Sequence, residues 1–140
     1  MALPLQEVLY TTNTHVTGGR DGSGRSSDGK LDVKLDHFVS GKEGTNPEQL
    51  FGVGYSACFL SAIGIAAQQL KVRLPPETAV DAQVDLGKTS EGNYQLAVKL
   101  NVNLPGVDEE TKAKLLAFAH QTCPYSRMTR GEVTVDIAAK

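Results

Sequence analysis

From Leu50 to Ala67 the chain carries no charged residue, only apolar, aromatic, small and hydroxyl side chains. A stretch this long and this uniform has to leave water, and the remaining sequence has to supply its cover. Just upstream, Asn46 suits a helix cap, Pro47 the first helical position, and Glu48 the positive end of the dipole. The segment therefore reads as a helix from Asn46 to about Val72. Small and apolar positions cover most of its circumference, so it is expected to be buried nearly all round until Gln68 and Gln69, at the centre of the core.

The flanking segments change period. EVLYTTNTHVTG alternates through Val8, Tyr10, Thr12, Thr14 and Val16 and reads as a strand. GGRDGSGRSSDGK, residues 18–30, has five glycines among turn-forming Asp and Ser, which makes a loop with room for one short distorted strand. LDVKLDHF sends Leu31, Val33 and Leu35 to one face, so the first third reads as a β-meander. After Pro75 and Pro76 come two strands, AVDAQVDLG and NYQLAVKLNVNLPG, turned between Gly87 and Asn93. Asp108, Glu109 and Glu110 open a second helix with an inner stripe of Leu116, Ala119 and Cys123, and EVTVDI reads as a closing strand. Neither a repeat nor a linker interrupts the order, so residues 1–140 are read as one α+β domain.

Composition narrows the function. At 140 residues the chain can bury a core without staples, and a net charge of −2 with no basic cluster speaks against nucleic acid. MALPLQEVLY lacks the layout of a signal peptide, and no run is read as approaching the ~18 apolar residues of a membrane span, so a cytoplasmic protein is expected. His15, His37 and His120 show no paired ligand spacing with the cysteines, and no metal is expected. The GGRDGSG loop leads into a strand, not into a helix N-terminus, and lacks a Lys-Ser/Thr ending, so it is read as a hairpin loop and not as a phosphate cradle; Arg25 within it reads as solvated.

The two cysteines remain. Cys58 sits in the apolar run GYSACFLSAIG, where a lone thiol is ordinarily small core filling, and burial raises a thiol pKa. A position in mid-helix gains nothing from the dipole, so a reactive Cys58 needs a cation from elsewhere in the chain. Cys123 lies 65 residues downstream in TCPYS, too far for a CxxC motif, although two inner-face cysteines can still meet in space.

Three stretches then match a known family. THVTGGRDG at 14–22, TNPEQLFGVGYSACF at 45–59 and CPYSRMTRG at 123–131 resemble the organic hydroperoxide resistance proteins, the Ohr branch of the OsmC/Ohr superfamily. The resemblance implies antiparallel sheets packed around a long central helix in an intertwined homodimer. It implies a peroxidase for organic hydroperoxides in which Cys58 is the peroxidatic thiol, Cys123 resolves it as an intramolecular disulfide, and Arg20 and Glu48 are polar partners. A guanidinium stays charged at working pH and supplies the missing cation, while Glu48 can hold its fork. Phe51, Tyr55 and Phe59 suit an apolar peroxide group, although aromatics on such a helix are as readily ordinary core. No bound cofactor is implied, and dihydrolipoyl groups on lipoylated proteins are the implied external reductant.

Glu48 and Cys58 are ten residues apart, which on one helix is about 15 Å along the axis and roughly 80° around it. One arginine does not easily serve both. Either the helix breaks between them, or Arg20 and Glu48 serve the thiol of a second subunit, the reading that the family's dimers favour. Val53, Ser56 and Met128 depart from the alanines of many relatives and bear on pocket shape. The competing readings are a redox sensor using the same disulfide and the OsmC branch; the GGR and NPEQLF stretches favour Ohr.

Overall fold

The computed structural model describes residues 2–140. It is an α+β protein with two small antiparallel sheets and one long helix, and its residues group into two compact units. One is Leu5–Phe51; the other is Gly52–Lys140 with the first few residues as far as Pro4.

The first unit holds the expected meander. Strands β1 (Thr14–Thr17), β2 (Ser23–Ser26) and β3 (Asp32–Lys34) lie antiparallel in the order β1-β2-β3, in a register that pairs Val16 with Gly24 and Gly24 with Val33. β1 is much shorter than the alternation suggested. Residues 5–13 make no ladder here, and Val8, Leu9 and Tyr10 stay exposed. Alternation marks which residues could share a face, but a strand also needs a partner with free backbone groups.

Between β1 and β2 the chain reverses through a single 3-10 turn, Gly19–Asp21. Gly18 and Gly19 both have positive φ, at 78° and 60°. A Cβ on Gly22 would stand 1.8 Å from the carbonyl oxygen of Thr17, so the turn closes only without a side chain there. Asp36, 5% exposed, accepts from the backbone N–H of Gly44 and folds the 37–44 loop back, while Leu35 bridges to Thr45.

Helix α1 (Pro47–Leu70) starts where the capping residues indicated. The Asn46 side chain accepts from Gln49 N–H, and Pro47 takes the first position. At the other end Lys71 adopts φ 56°, with Val72 N–H donating to the Ala67 carbonyl and Lys71 N–H to that of Gln68. This is a Schellman closure with lysine in the place glycine usually takes. The helix is not buried all round. Tyr55, Phe59, Ala62, Ile63, Ala66 and Ala67 are buried, but Val53, Ala57, Ser61 and Ile65, spaced by four, form one exposed row. By length and composition alone α1 also passes as a membrane span, with a mean hydropathy of 1.8, which corrects the expectation that no run approaches that length.

The second unit adds the hairpin β4 (Ala79–Lys88) and β5 (Tyr94–Asn103), registered without a bulge from Ala79↔Asn103 to Lys88↔Tyr94. Helix α2 (Glu109–Thr122) is capped by Asp108, whose carboxylate accepts from Thr111 N–H. It buries Leu115 and Ala119, whereas Leu116, expected on the inner stripe, is 37% exposed. Cys123 ends α2 and begins a short helix, α3 (Pro124–Thr129), that the sequence did not suggest. EVTVDI is not a strand: among the described residues, those from Val133 onward join no ladder, and Ile137 is 92% exposed.

Candidate active site

The structure gathers the four candidate residues as two pairs, one in each unit. In the first unit, the tight Gly18–Gly22 turn aims Arg20 at the first turn of α1. Its Nη1 donates to Glu48 Oε1 at 2.6 Å and its Nη2 to Oε2 at 2.9 Å, a fork-to-fork pair. Hydrogen bonding to Arg20 holds the Glu48 carboxyl below its ordinary range, and the same bond raises the guanidinium, so both ends stay charged. Asp21, which sequence reasoning passed over, steadies the turn by accepting the backbone N–H of His37 at 3.1 Å. Its signal was modest: one acid next to the arginine inside a glycine-rich loop.

In the second unit, Cys58 projects from α1 and meets Cys123 at the α2–α3 junction. The sulfurs are 3.3 Å apart and both thiols are free. Cys123 is fully buried and Cys58 partly so. Burial pushes the Cys58 thiol up, and Cys123 adds to that, while the backbone N–H of Tyr125 works the other way; the net direction is upward. Tyr125 is a second residue that sequence reasoning missed. Pro124 begins α3 and leaves its early N–H groups without helical partners, which frees the one at Tyr125 to face the sulfur.

Two of the three aromatic candidates are core. Tyr55 and Phe59 are 4% and 5% exposed and meet edge to face with centroids 6.3 Å apart. Tyr55 also stacks on Tyr125 at 5.9 Å. A Cβ on Gly54 would stand 2.8 Å from the Tyr125 hydroxyl, so glycine there gives that ring its place. Phe51, half-buried, belongs to the first unit. Among the described residues no group of three or more His, Cys, Asp or Glu is placed to hold a metal ion.

The chain is a small α+β protein that brings two free thiols together from separate helices, and its architecture narrows the class further. The OsmC-like protein family model matches residues 40–138. The organic hydroperoxide resistance protein of Xanthomonas axonopodis pv. citri is 43% identical, with 98% of each chain covered. The crystal structure of the organic hydroperoxide resistance protein OhrB of Bacillus subtilis superposes with a TM-score of 0.81 at 38% identity, covering 95% of this chain and all of that one. That of an organic hydroperoxide resistance protein from Elizabethkingia anophelis gives 0.82 at 39%, covering 93% and 95%. The chain belongs to the organic hydroperoxide resistance proteins of the OsmC/Ohr superfamily.

Proposed function

We propose that this protein is a thiol-dependent peroxidase that reduces organic hydroperoxides to alcohols and defends the cell against them. The observation that carries this reading is the Cys58–Cys123 pair: two reduced thiols from distant parts of the chain held 3.3 Å apart, in a fold shared with relatives named for organic hydroperoxide resistance. The Cys58 thiolate attacks the terminal oxygen of ROOH, the O–O bond breaks, and ROH leaves with a proton, making Cys58 a sulfenic acid. The Cys123 thiol then displaces the sulfenic hydroxyl as water and forms the disulfide. A dithiol, for which dihydrolipoyl groups of lipoylated proteins are the proposed source, exchanges with that disulfide and restores both thiols. Such a cycle suits the reducing cytoplasm, and Tyr55 and Phe59, which flank Cys58 along α1, would offer apolar ring surface to the organic half of the peroxide.

Cys58 is held above its ordinary pKa by burial, so it needs a cation to become a nucleophile. Arg20 is fixed instead on Glu48, and α1 is unbroken from Pro47 to Leu70. Of the two alternatives posed by the ten-residue spacing, the unbroken helix supports the second, a homodimer in which the Arg20–Glu48 pair of one subunit activates Cys58 of the other, polarising the peroxide oxygen as it is attacked.

The test is steady-state reduction of cumene and tert-butyl hydroperoxide with dithiothreitol, dihydrolipoamide, glutathione or thioredoxin as reductant, against hydrogen peroxide as the comparison. Cys58→Ser is expected to abolish turnover. Cys123→Ser should still form a sulfenic acid but proceed to the sulfinic acid. Wild-type protein that leaves organic peroxides unreduced with every dithiol overturns the proposal.

A further inference from the structure

Cys123 sits on a joint. It is the only residue between α2 and α3, in an extended conformation with φ −67° and ψ 121°, so small changes in the angle between the helices swing its sulfur. A chain of three side chains spans this joint. The Tyr55 hydroxyl lies 2.7 Å from Ser126 Oγ, and Ser126 Oγ lies 2.9 Å from His120 Nδ1. Ser126 is fully buried, Tyr55 nearly so, and His120 is at the surface. The three come from three elements, each three residues from a sulfur: Tyr55 precedes Cys58 on α1, His120 precedes Cys123 on α2, and Ser126 follows Cys123 on α3.

A serine with no exposed surface is costly unless its hydroxyl is bonded, and an alanine would pack in the same volume. Here the hydroxyl is used on both sides. In the tautomer whose Nδ1 carries no proton, Ser126 donates to His120 and accepts from Tyr55, so one hydroxyl pins both helices flanking Cys123 to the helix carrying Cys58. The Arg130 guanidinium adds a bond to the His120 carbonyl at 2.7 Å, which steadies the end of α2.

We propose that Tyr55, Ser126 and His120 are positioning residues for the resolving step, holding the Cys123 sulfur against Cys58 so that disulfide formation outruns overoxidation. The inference rests on the peroxidase reading. In the step concerned, the S–O bond of the Cys58 sulfenic acid breaks and the S–S bond forms. The Cys58 sulfur is reduced, the Cys123 sulfur is oxidised, and the thiol proton leaves with the hydroxyl as water. Proximity governs such a step strongly, whereas the first attack on peroxide does not involve Cys123 at all.

The experiment follows wild type, Ser126→Ala, Tyr55→Phe, His120→Ala and His120→Asn by intact-mass spectrometry after a pulse of tert-butyl hydroperoxide. Sulfenic acid formation is timed separately, with each change placed in a Cys123→Ser background. Ser126→Ala and His120→Ala should leave the first step within about twofold, slow disulfide formation by between about twofold and tenfold, and raise the sulfinic fraction to match. Asparagine presents an oxygen near the position of Nδ1, so His120→Asn should stay close to wild type; because His120 is exposed, this pair of variants keeps its meaning even where Ser126→Ala folds poorly. An unchanged ratio of disulfide to sulfinic acid, or equal slowing of both steps, overturns the inference. Equilibration with dithiothreitol needs no peroxide and reads the same contact: the His120→Ala disulfide should be less stable by a similar factor, and equal stability counts against it. Wild-type protein inert to peroxide yet responding in this second assay would sink the peroxidase reading alone.

Discussion

At the level of single residues, Arg20 and Glu48 hold each other by two charged hydrogen bonds, and the sulfurs of Cys58 and Cys123 stand 3.3 Å apart. Both pairs were expected from the family resemblance of their stretches, whereas residue chemistry by itself left Cys58 as core filling. Periodicity could not give the closeness of the two sulfurs, because it depends on an α2–α3 joint that no periodicity announces. Ser126 and His120 looked ordinary for the same reason: a hydroxyl and an imidazole acquire meaning only from what they face. The Arg20–Glu48 pair has a readable pH signature. Glu48 has its pKa lowered in the fold from the ordinary 4.5, so its pairing stabilises the protein above that value and the contribution is lost as pH falls through the folded pKa. The stability gap between wild type and Glu48→Gln, measured by urea denaturation, should therefore be full near neutrality and shrink on acidification below about pH 4.5. A gap that widens there would contradict the assignment.

At the level of elements, the helices and the long hairpin were legible because their signals are local: caps at Asn46 and Asp108, unbroken alternation from Tyr94 to Leu104, and a turn between them. The end strands were not, since 7–13 and 132–137 alternate like strands but find no ladder among the described residues. The burial of α1 was over-read. A uniformly apolar helix hides which of its faces is covered, and the row Val53, Ala57, Ser61 and Ile65 stayed exposed. The end of α1 offers a test of a different kind. Lys71 holds a left-handed conformation that costs a side-chain-bearing residue about 1 kcal/mol relative to glycine, so Lys71→Gly should stabilise the protein by up to that amount, read as a higher urea midpoint with an unchanged slope. Destabilisation would mean that the lysine side chain makes a contribution larger than the strain.

At the level of the whole molecule, the exposed row on α1, the unpaired N-terminal segment and the apolar tail around Val135 and Ile137 are apolar surfaces of the kind that subunit interfaces cover, in keeping with the proposed homodimer. The shared-site reading makes a sharp prediction. Arg20→Ala and Cys58→Ser should each be inactive alone, but a mixture refolded together should recover activity, because a mixed dimer rebuilds one complete site from Arg20 of one subunit and Cys58 of the other. With random pairing in equal amounts, about a quarter of the wild-type rate is expected. A mixture as inactive as its components, with subunit exchange verified by mass, would place Arg20 and Cys58 of each site in the same subunit and remove the argument for sharing.

The apolarity of α1 has a consequence during synthesis. The helix leaves the ribosome before Val84 of the hairpin and before Tyr125 and Ser126, which lie against Gly52, Gly54 and Tyr55. Until those residues follow, the nascent chain presents a segment with the length and greasiness of a membrane anchor. The packing that brings Cys123 to Cys58 is thus also what withdraws this helix from chaperones and lipid, so variants that loosen the α2–α3 joint should betray themselves first as poor yield and only then as slow enzymes.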